Sequence, residues 1–457
     1  MMSAFKLSDV AAPLSGDVHG ADARFLRVAT DSRQVREGDL FVALRGERFD
    51  AHDFLPQVCE AGAAAAMVSH VVDVALPQIK VDDTERGLGL LGAYNREQYR
   101  GPLVAITGSN GKTTVKNLTA AVLSQGGQTL ATEGNLNNEI GVPLTLLAIE
   151  PGTKYAVVEM GAGKPGDIAW LCELGKPTVS VVLNAMPAHL ERMGSVEEVA
   201  NTKGAIYDRL GADGVAIINN DQPWASQWKV RAGEARVLSF GMHTPADVMA
   251  RDVQLLGVQG SRFVASTPVG DIKVALTLPG EHNIMNALAA ICAGIACGLA
   301  PAEIESGLAA AQVTGGRLAL EETHSGAQLI DDCYNANPGS VRAAIQVLAQ
   351  CKGQRVLILG AMRELGDDEA ALHRQMGEAA RDAGLDGFWG VGDALRDAVA
   401  AFGSQGRFFP SMDAAQVAAH GAFASGTTVL VKGSRGAQME RLLPVIRGEM
   451  SAGSTSC

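Results

Sequence analysis

Apolar and polar positions change regime along this chain. Up to about residue 83, short strand-like runs (40–44 and 66–68) are set among turn signals, with a helical stretch over 54–61 between them. Beyond Gly101-Pro102, apolar runs alternate with helical stretches, which is the pattern of βαβ units in a parallel sheet. The runs fall at 103–107, 156–158, 179–183 and 215–218. A strand-rich patch follows (262–265 and 272–278), and then a long helix from Ile284. After Gly315-Gly316 the alternation restarts with runs at 328–330, 355–359, 387–391 and 428–431. The pattern predicts an α/β protein of three domains: a small one over 1–83, a central parallel-sheet domain over 84–314, and a last Rossmann-like α/β domain over 315–457. Residues 451–457 read as a loose tail.

Composition fits that picture. At roughly 150 residues per domain, 457 residues give a prior of three. With 47% apolar and 19% charged residues, the chain is neither disordered nor a coiled coil. Fifty-three glycines beside 5% aromatics suit many tight strand–helix turns. The net charge of −12 argues against a general nucleic-acid binder, but a few local cations still suffice for an anionic small substrate. Seven scattered cysteines without a C-x-x-C pair read as reduced thiols in a cytoplasmic protein. The N-terminus lacks the apolar stretch of a signal peptide, and the uncharged run 283–302, with two asparagines, two glycines and Pro301, reads as a buried helix rather than a membrane span.

The strongest local signal is Thr107-Gly108-Ser109-Asn110-Gly111-Lys112-Thr113-Thr114. It follows an apolar run and precedes a helical pattern in which Val115, Leu118 and Val122 share a face. Such a loop turns backbone N–H groups toward phosphate oxygens at a helix N-terminus. Lys112 would reach the β- and γ-phosphates, and the Thr113 hydroxyl would hold Mg²⁺. The full phosphate-loop pattern is not met, because Ile106 stands where its first glycine would fall. Glu159 closes the run 155–159 and is suited to be a further Mg²⁺ ligand, since a carboxylate at the carboxyl end of a parallel strand points into the ligand crevice. His189 follows the run 181–183, yet a lone loop histidine is ordinarily a surface residue. Lys203, read alone, is an ordinary helix-face lysine.

Taken together, these segments resemble the Mur ligases of peptidoglycan synthesis. Thr107–Thr114, Glu159-Met160-Gly161, Ala188-His189-Leu190-Glu191, Thr202-Lys203-Gly204, the stretch from Gly280 to Ala290 and Gly315-Gly316-Arg317 follow the family's motifs in order, so the resemblance spans the chain. The segment 30–44 is similar to the first domain of the third and fourth ligases. The segments 135–146, 331–338 and 431–435 are similar to the fourth, which adds D-alanyl-D-alanine, and the third ligase's D-N-P-R signature is missing. Ala51 and Ala361 depart from the family's usual Gly and Asp.

The resemblance implies an ATP-driven amide ligase acting on UDP-N-acetylmuramoyl-tripeptide and D-alanyl-D-alanine through an acyl phosphate. It implies ATP contacts from Gly108, Ser109, Asn110, Gly111, Lys112, Thr113 and Thr114, from Asn283 and Asn286 at adenine, from Arg317 at the phosphates and from Asp332 at the ribose. Two Mg²⁺ ions are implied, one at Thr113 and Glu159, the other at His189 and an N-carboxylated Lys203. Lys112, His189 and Lys203 would form the catalytic set. Asn137 and Asn138 would contact the muramoyl peptide, and Ser32 and Arg33 its UDP end. No nucleic acid and no membrane span are expected, and the chain is expected to act as a monomer. Three other readings fit less of the sequence. A folylpolyglutamate-type ligase leaves the segment 30–44 unexplained. A phosphate-loop kinase leaves His189, Lys203 and the 283–290 match unexplained, and a non-catalytic nucleotide-binding module predicts nucleotide binding without phosphate release in any substrate mixture.

Overall fold

The computed structural model describes residues 4–46, 49–187, 190–311 and 315–449. Among these, the strands form three main sheets and one short ladder. The first sheet has five strands, ordered Asp17–His19, Gln78–Lys80, Ala65–Val68, Asp39–Val42 and Arg27–Ala29, parallel except at the first pair. Beside it Phe5–Lys6 pairs with Arg24–Phe25. The expected helical stretch is a 3₁₀ turn, Ala51–Phe54, running into the helix Leu55–Glu60.

The second sheet has nine strands. Five of them, Thr129–Ala131, Tyr155–Glu159, Leu103–Thr107, Val179–Val182 and Val215–Asn219, run parallel in that spatial order. Arg236–Gly241 and Val248–Leu255 extend it in parallel, and Ser261–Ser266 and Ile272–Leu276 close it antiparallel. The strand-rich patch is therefore an extension of the second sheet. The third sheet has six strands, ordered Ala319–Glu322, Gln328–Asp332, Thr427–Lys432, Gln354–Gly360, Gly387–Val391 and Gly406–Phe409, with only the first pair antiparallel.

Both faces of the second sheet are covered, as a largely parallel sheet requires. Val104 and Ile106 face a core with Val115, Leu118 and Val122, whereas Leu103 and Ala105 face another with Val142 and Leu146. The helix Thr84–Glu97 starts on Asp83, whose Oδ1 accepts from the N–H groups of Glu85 (2.8 Å) and Arg86 (3.0 Å). Its Leu88 and Leu91 pack with Leu7, Val10 and Leu14 in the first unit's core.

The run 283–302 is not one helix. The helix Glu281–Ala296 ends where Gly298 takes a φ of +81°, and Pro301 opens a new helix, Pro301–Ala310. Proline cannot sit inside a helix without losing a backbone bond, but it suits a first turn. The first of these helices is buried among the second sheet's core residues. No helix among the described residues is long and apolar enough to cross a membrane. The tail 451–457 lies outside the described residues.

Candidate active site

A cavity of about 550 Å³ opens between the carboxyl ends of the second and third sheets. That is where α/β sheets collect ligands, because loops leave the strands there and helices start there. The loop after Leu103–Thr107 forms one wall. Gly111 sits just before the helix Lys112–Leu123 with a φ of +85°, and a Cβ there would stand 2.5 Å from Asn286 Oδ1. Only glycine meets both demands. Asn184 props the loop from the next strand: its carbonyl accepts from Ser109 N (3.1 Å) and its Oδ1 from Asn110 N (2.9 Å).

The helix presents its first residues to the cavity. Lys112 Nζ donates to Gly108 O at 2.7 Å. Burial lowers the Lys112 pKa, with Glu159 opposing that shift and Arg317 adding to it. Thr113 Oγ1 donates to Glu159 Oε2 at 2.9 Å, and Asn137 Nδ2 donates to Glu159 Oε1 at 2.7 Å. Glu159 therefore ends its strand 2% exposed, with both oxygens engaged by groups that line the cavity. The Thr113 hydroxyl and the Glu159 carboxylate put hard oxygens side by side, the donor type that Mg²⁺ takes. Among the described residues no group of three or more His, Cys, Asp and Glu side chains gathers as a metal site, here or elsewhere.

The third sheet supplies the opposite wall. Arg317 Nη2 donates to Thr113 Oγ1 at 3.0 Å, and its guanidinium carbon lies 4.0 Å from the centre of the Tyr334 ring. Asp332 ends the strand Gln328–Asp332, and its Oδ2 accepts from Lys432 Nζ at 2.6 Å. Burial pushes the Asp332 pKa up, and Lys432 opposes that. Lys432 also donates to Asn335 O at 2.9 Å. Asn337 Nδ2 donates to Asn110 Oδ1 at 2.6 Å, a second bond between the two walls.

Asn283 and Asn286 lie at the start of the helix Glu281–Ala296. Asn286 Nδ2 donates to Asn283 Oδ1 (2.9 Å), and Asn283 Nδ2 donates to Pro279 O (2.8 Å). Both residues also line the cavity. Beside them His282 Nε2 accepts from Asn283 Nδ2 at 3.2 Å, and burial, then Lys432, brings the His282 pKa down to about 4.

Lys203 is 2% exposed in the helix Val196–Gly204. Burial drives its pKa well down, and the Lys112 charge adds to that. Among the described residues it has no ion-pair partner. Burial and the Lys112 charge both disfavour the ammonium and favour the free amine, the form that adds CO₂. His189 lies outside the described residues.

Not every expected contact converges. Ser32 and Arg33 occupy a 3₁₀ turn on the first sheet's side, away from the cavity lining. Arg33 pairs with Asp31 through Nε (2.9 Å) and Nη2 (2.7 Å), and these bonds hold the Asp31 carboxyl down to about 2. Asn138 lines the cavity and accepts from Gly141 N through Oδ1 at 2.9 Å. Sequence reasoning missed Asn184, His282, Tyr334, Asn335, Asn337 and Lys432 as parts of the site.

Three family profiles match the chain: "Mur ligase family, catalytic domain" over residues 25–91, "Mur ligase middle domain" over 106–294, and "Mur ligase, glutamate ligase domain" over 316–435. The UDP-N-acetylmuramoyl-tripeptide–D-alanyl-D-alanine ligase of Escherichia coli K12 is 43% identical, covering 98% of this chain and 99% of its own. The Bacillus subtilis enzyme of the same name is 35% identical over 91% of this chain and 92% of its own. A crystal structure of MurF from Acinetobacter baumannii superposes with a TM-score of 0.92 at 35% identity, covering 98% of this chain and 99% of that one. MurF ligase from Thermotoga maritima, in complex with ADP, gives 0.81 at 28% identity over 93% and 97%. With three profiles in series and full-length likeness to these enzymes, the chain belongs to the Mur ligase family, in the branch that these MurF enzymes represent.

Proposed function

We propose that this chain is an ATP-dependent ligase that joins D-alanyl-D-alanine to UDP-N-acetylmuramoyl-tripeptide in peptidoglycan synthesis. The observation that carries the reading is the meeting of Lys112, Thr113, Glu159 and Arg317 in one cavity between two sheets. Full-length likeness to ligases of that name gives the substrates.

The chemistry explains the residues. A free carboxylate is a poor electrophile, so it must first be activated, and ATP does this by giving an acyl phosphate and ADP. Two anions meet in that step, which makes cations the catalytic resource. In this reading the N–H groups of residues 108–114 cradle the phosphates, Lys112 takes charge from the transferring group, and Arg317 does so from the opposite wall. Asn283 and Asn286 read the adenine edge, and Asp332 holds the ribose. Lys112, His189 and Lys203 are the catalytic set. The D-alanyl-D-alanine amine then attacks the acyl carbon and phosphate leaves. Closure of the cavity excludes the water that would hydrolyse the acyl phosphate.

Two Mg²⁺ ions belong to the proposal. Thr113 and Glu159 would hold one, and His189 with N-carboxylated Lys203 the other. When bound they supply charge neutralisation at the phosphates and at the reacting carboxylate. The burial of Lys203 supports its carboxylation, because burial favours the free amine over the ammonium, and an ammonium would repel a metal ion whereas a carbamate offers it oxygen.

We assign the segment 1–83 to the UDP end of the substrate through Ser32 and Arg33, the segment 84–314 to ATP and, through Asn137 and Asn138, to the muramoyl peptide, and the segment 315–457 to closing over ATP. The protein is read as a cytoplasmic monomer. The deciding assay is phosphate release from ATP with UDP-N-acetylmuramoyl-tripeptide, with and without D-alanyl-D-alanine. Sustained release and a new amide only with both substrates support the reading, and release independent of either substrate overturns it.

A further inference from the structure

Lys116 is a buried cation that the reaction just described does not use. It is 4% exposed, one turn beyond Lys112 on the helix Lys112–Leu123. Taking an ammonium out of water is costly unless its donors find partners. Two of its partners are backbone carbonyls of a single segment: Nζ donates to Thr132 O at 2.7 Å and to Gly134 O at 3.2 Å. Burial lowers its pKa, and the nearby Glu159 charge opposes that shift.

The segment it holds leads straight into Asn137 and Asn138, and its other ties go elsewhere. Thr132 Oγ1 accepts from Glu159 N at 2.9 Å. Asn137 O accepts from Gly161 N at 2.7 Å. The far end folds back so closely that a Cβ at Gly141 would stand 2.3 Å from the Leu136 carbonyl carbon. The segment is thus fixed to the Glu159 strand end and to the next helix. Lys116 adds a tie to the helix whose N-terminus faces the phosphates.

We propose that Lys116 is a positioning residue that couples the phosphate loop to the segment 132–138, so that a bound nucleotide orders the muramoyl-peptide contacts before that substrate arrives. This rests on the reading of Asn137 and Asn138 given above. Loss of Lys116 frees Thr132 O and Gly134 O and loosens the start of the segment, while the phosphate loop keeps its own props on Asn184.

Two measurements test this. In Lys116→Met the KM for UDP-N-acetylmuramoyl-tripeptide rises about tenfold to a hundredfold, the loss expected for charged hydrogen bonds. The KM for ATP stays within about twofold. Lys116→Arg, which keeps the charge and the donors, recovers part of the loss. In hydrogen exchange, Mg-ADP protects amides 133–138 of the wild-type protein as well as 109–113, and in Lys116→Met only the second set is protected. Equal rises in both KM values, no rise in either, or no nucleotide-induced protection at 133–138 in the wild type overturns the coupling. The wild-type exchange arm decides the matter if Lys116→Met fails to fold. It also separates the two ideas, since a failed ligase reading shows as absent phosphate release while the exchange result stands on its own.

Discussion

Arg317 Nη2 donates to Thr113 Oγ1 at 3.0 Å, although 204 residues separate the two in sequence. The bond places a guanidinium from the third sheet's side at the hydroxyl where the phosphate-loop helix begins. Arg317 also lowers the pKa of Lys112, so the two cations share one field around Glu159. Arg317→Ala should therefore lower kcat by about a hundredfold to a thousandfold, the range for losing one preorganised donor to a developing charge. Arg317→Lys should recover only part of this, because a single ammonium cannot both stack on Tyr334 and reach Thr113 as the planar fork does. Steady-state phosphate release decides it, and an unchanged kcat in Arg317→Ala rules out the assigned role.

Lys203 gives a prediction in which stability and activity part company. A buried amine without an ion-pair partner among the described residues contributes a desolvation cost. Lys203→Ala should fold with a melting temperature close to that of the wild type and yet lose turnover. Small carboxylates such as acetate or formate should restore part of the activity by placing an oxygen where the carbamate would stand. Full activity of Lys203→Ala without additives would show that no carbamate is needed.

The pH dependence of stability should carry the mark of His282. Its folded pKa, about 4, lies below its ordinary 6.5, so between those values the unfolded chain binds more protons than the folded one. Stability from this group is complete above pH 6.5 and is lost as the pH falls toward 4, at most about 3 kcal/mol. His282→Gln keeps an acceptor for Asn283 Nδ2 without a titrating ring. Its melting temperature should fall less than that of the wild type across this window, and parallel curves would refute the assignment.

The Asp332–Lys432 pair is tested by breaking it from one side. Lys432 is 2% exposed and Asp332 9%. Lys432→Met strands a carboxyl that burial already disfavours in its charged form, and should cost about 3–5 kcal/mol of stability. Adding Asp332→Asn should return part of that loss, because the stranded charge is then gone. Denaturant unfolding of both single variants and the double one closes the cycle, and strictly additive losses would mean that the two groups do not interact.

How much of this was legible in the sequence depends on range. The strand Leu103–Thr107, the loop and the helix Lys112–Leu123 form one local unit, and period and glycines reveal such a unit. Glu159 could be placed because a strand end fixes where its side chain points. Asn337, Tyr334 and Lys432 could not, since their partners Asn110, Arg317 and Asp332 come from other elements and only the packed fold brings them together. The break at Gly298–Pro301 was written in residue types, but an alanine-rich apolar run hid it. His189 lies outside the described residues, so its place opposite Lys203 rests on the resemblance alone.

Closure of the cavity is the remaining prediction. Among the described residues, hydrogen bonds from Arg317 to Thr113 and from Asn337 to Asn110 join its walls, and both end within the loop 107–114. Interfaces of that polar kind within one chain separate readily, and domain motion is the default unless a large apolar surface holds the parts together. Gly315-Gly316, just before Arg317, supplies backbone freedom for a hinge. Nucleotide bridging Lys112 on one wall and Asp332 on the other should therefore favour the closed form. The radius of gyration from small-angle scattering should shrink when nucleotide, Mg²⁺ and UDP-N-acetylmuramoyl-tripeptide are added together. Asn337→Asp keeps the oxygen that accepts from Ser340 N and starts the helix Pro338–Ala349, but it removes the donor to Asn110. That variant should retain its fold, need more nucleotide to reach the compact form and turn over more slowly. An unchanged radius of gyration in the wild-type protein at saturating ligands would count against both the hinge and the placement of Asp332 at the ribose.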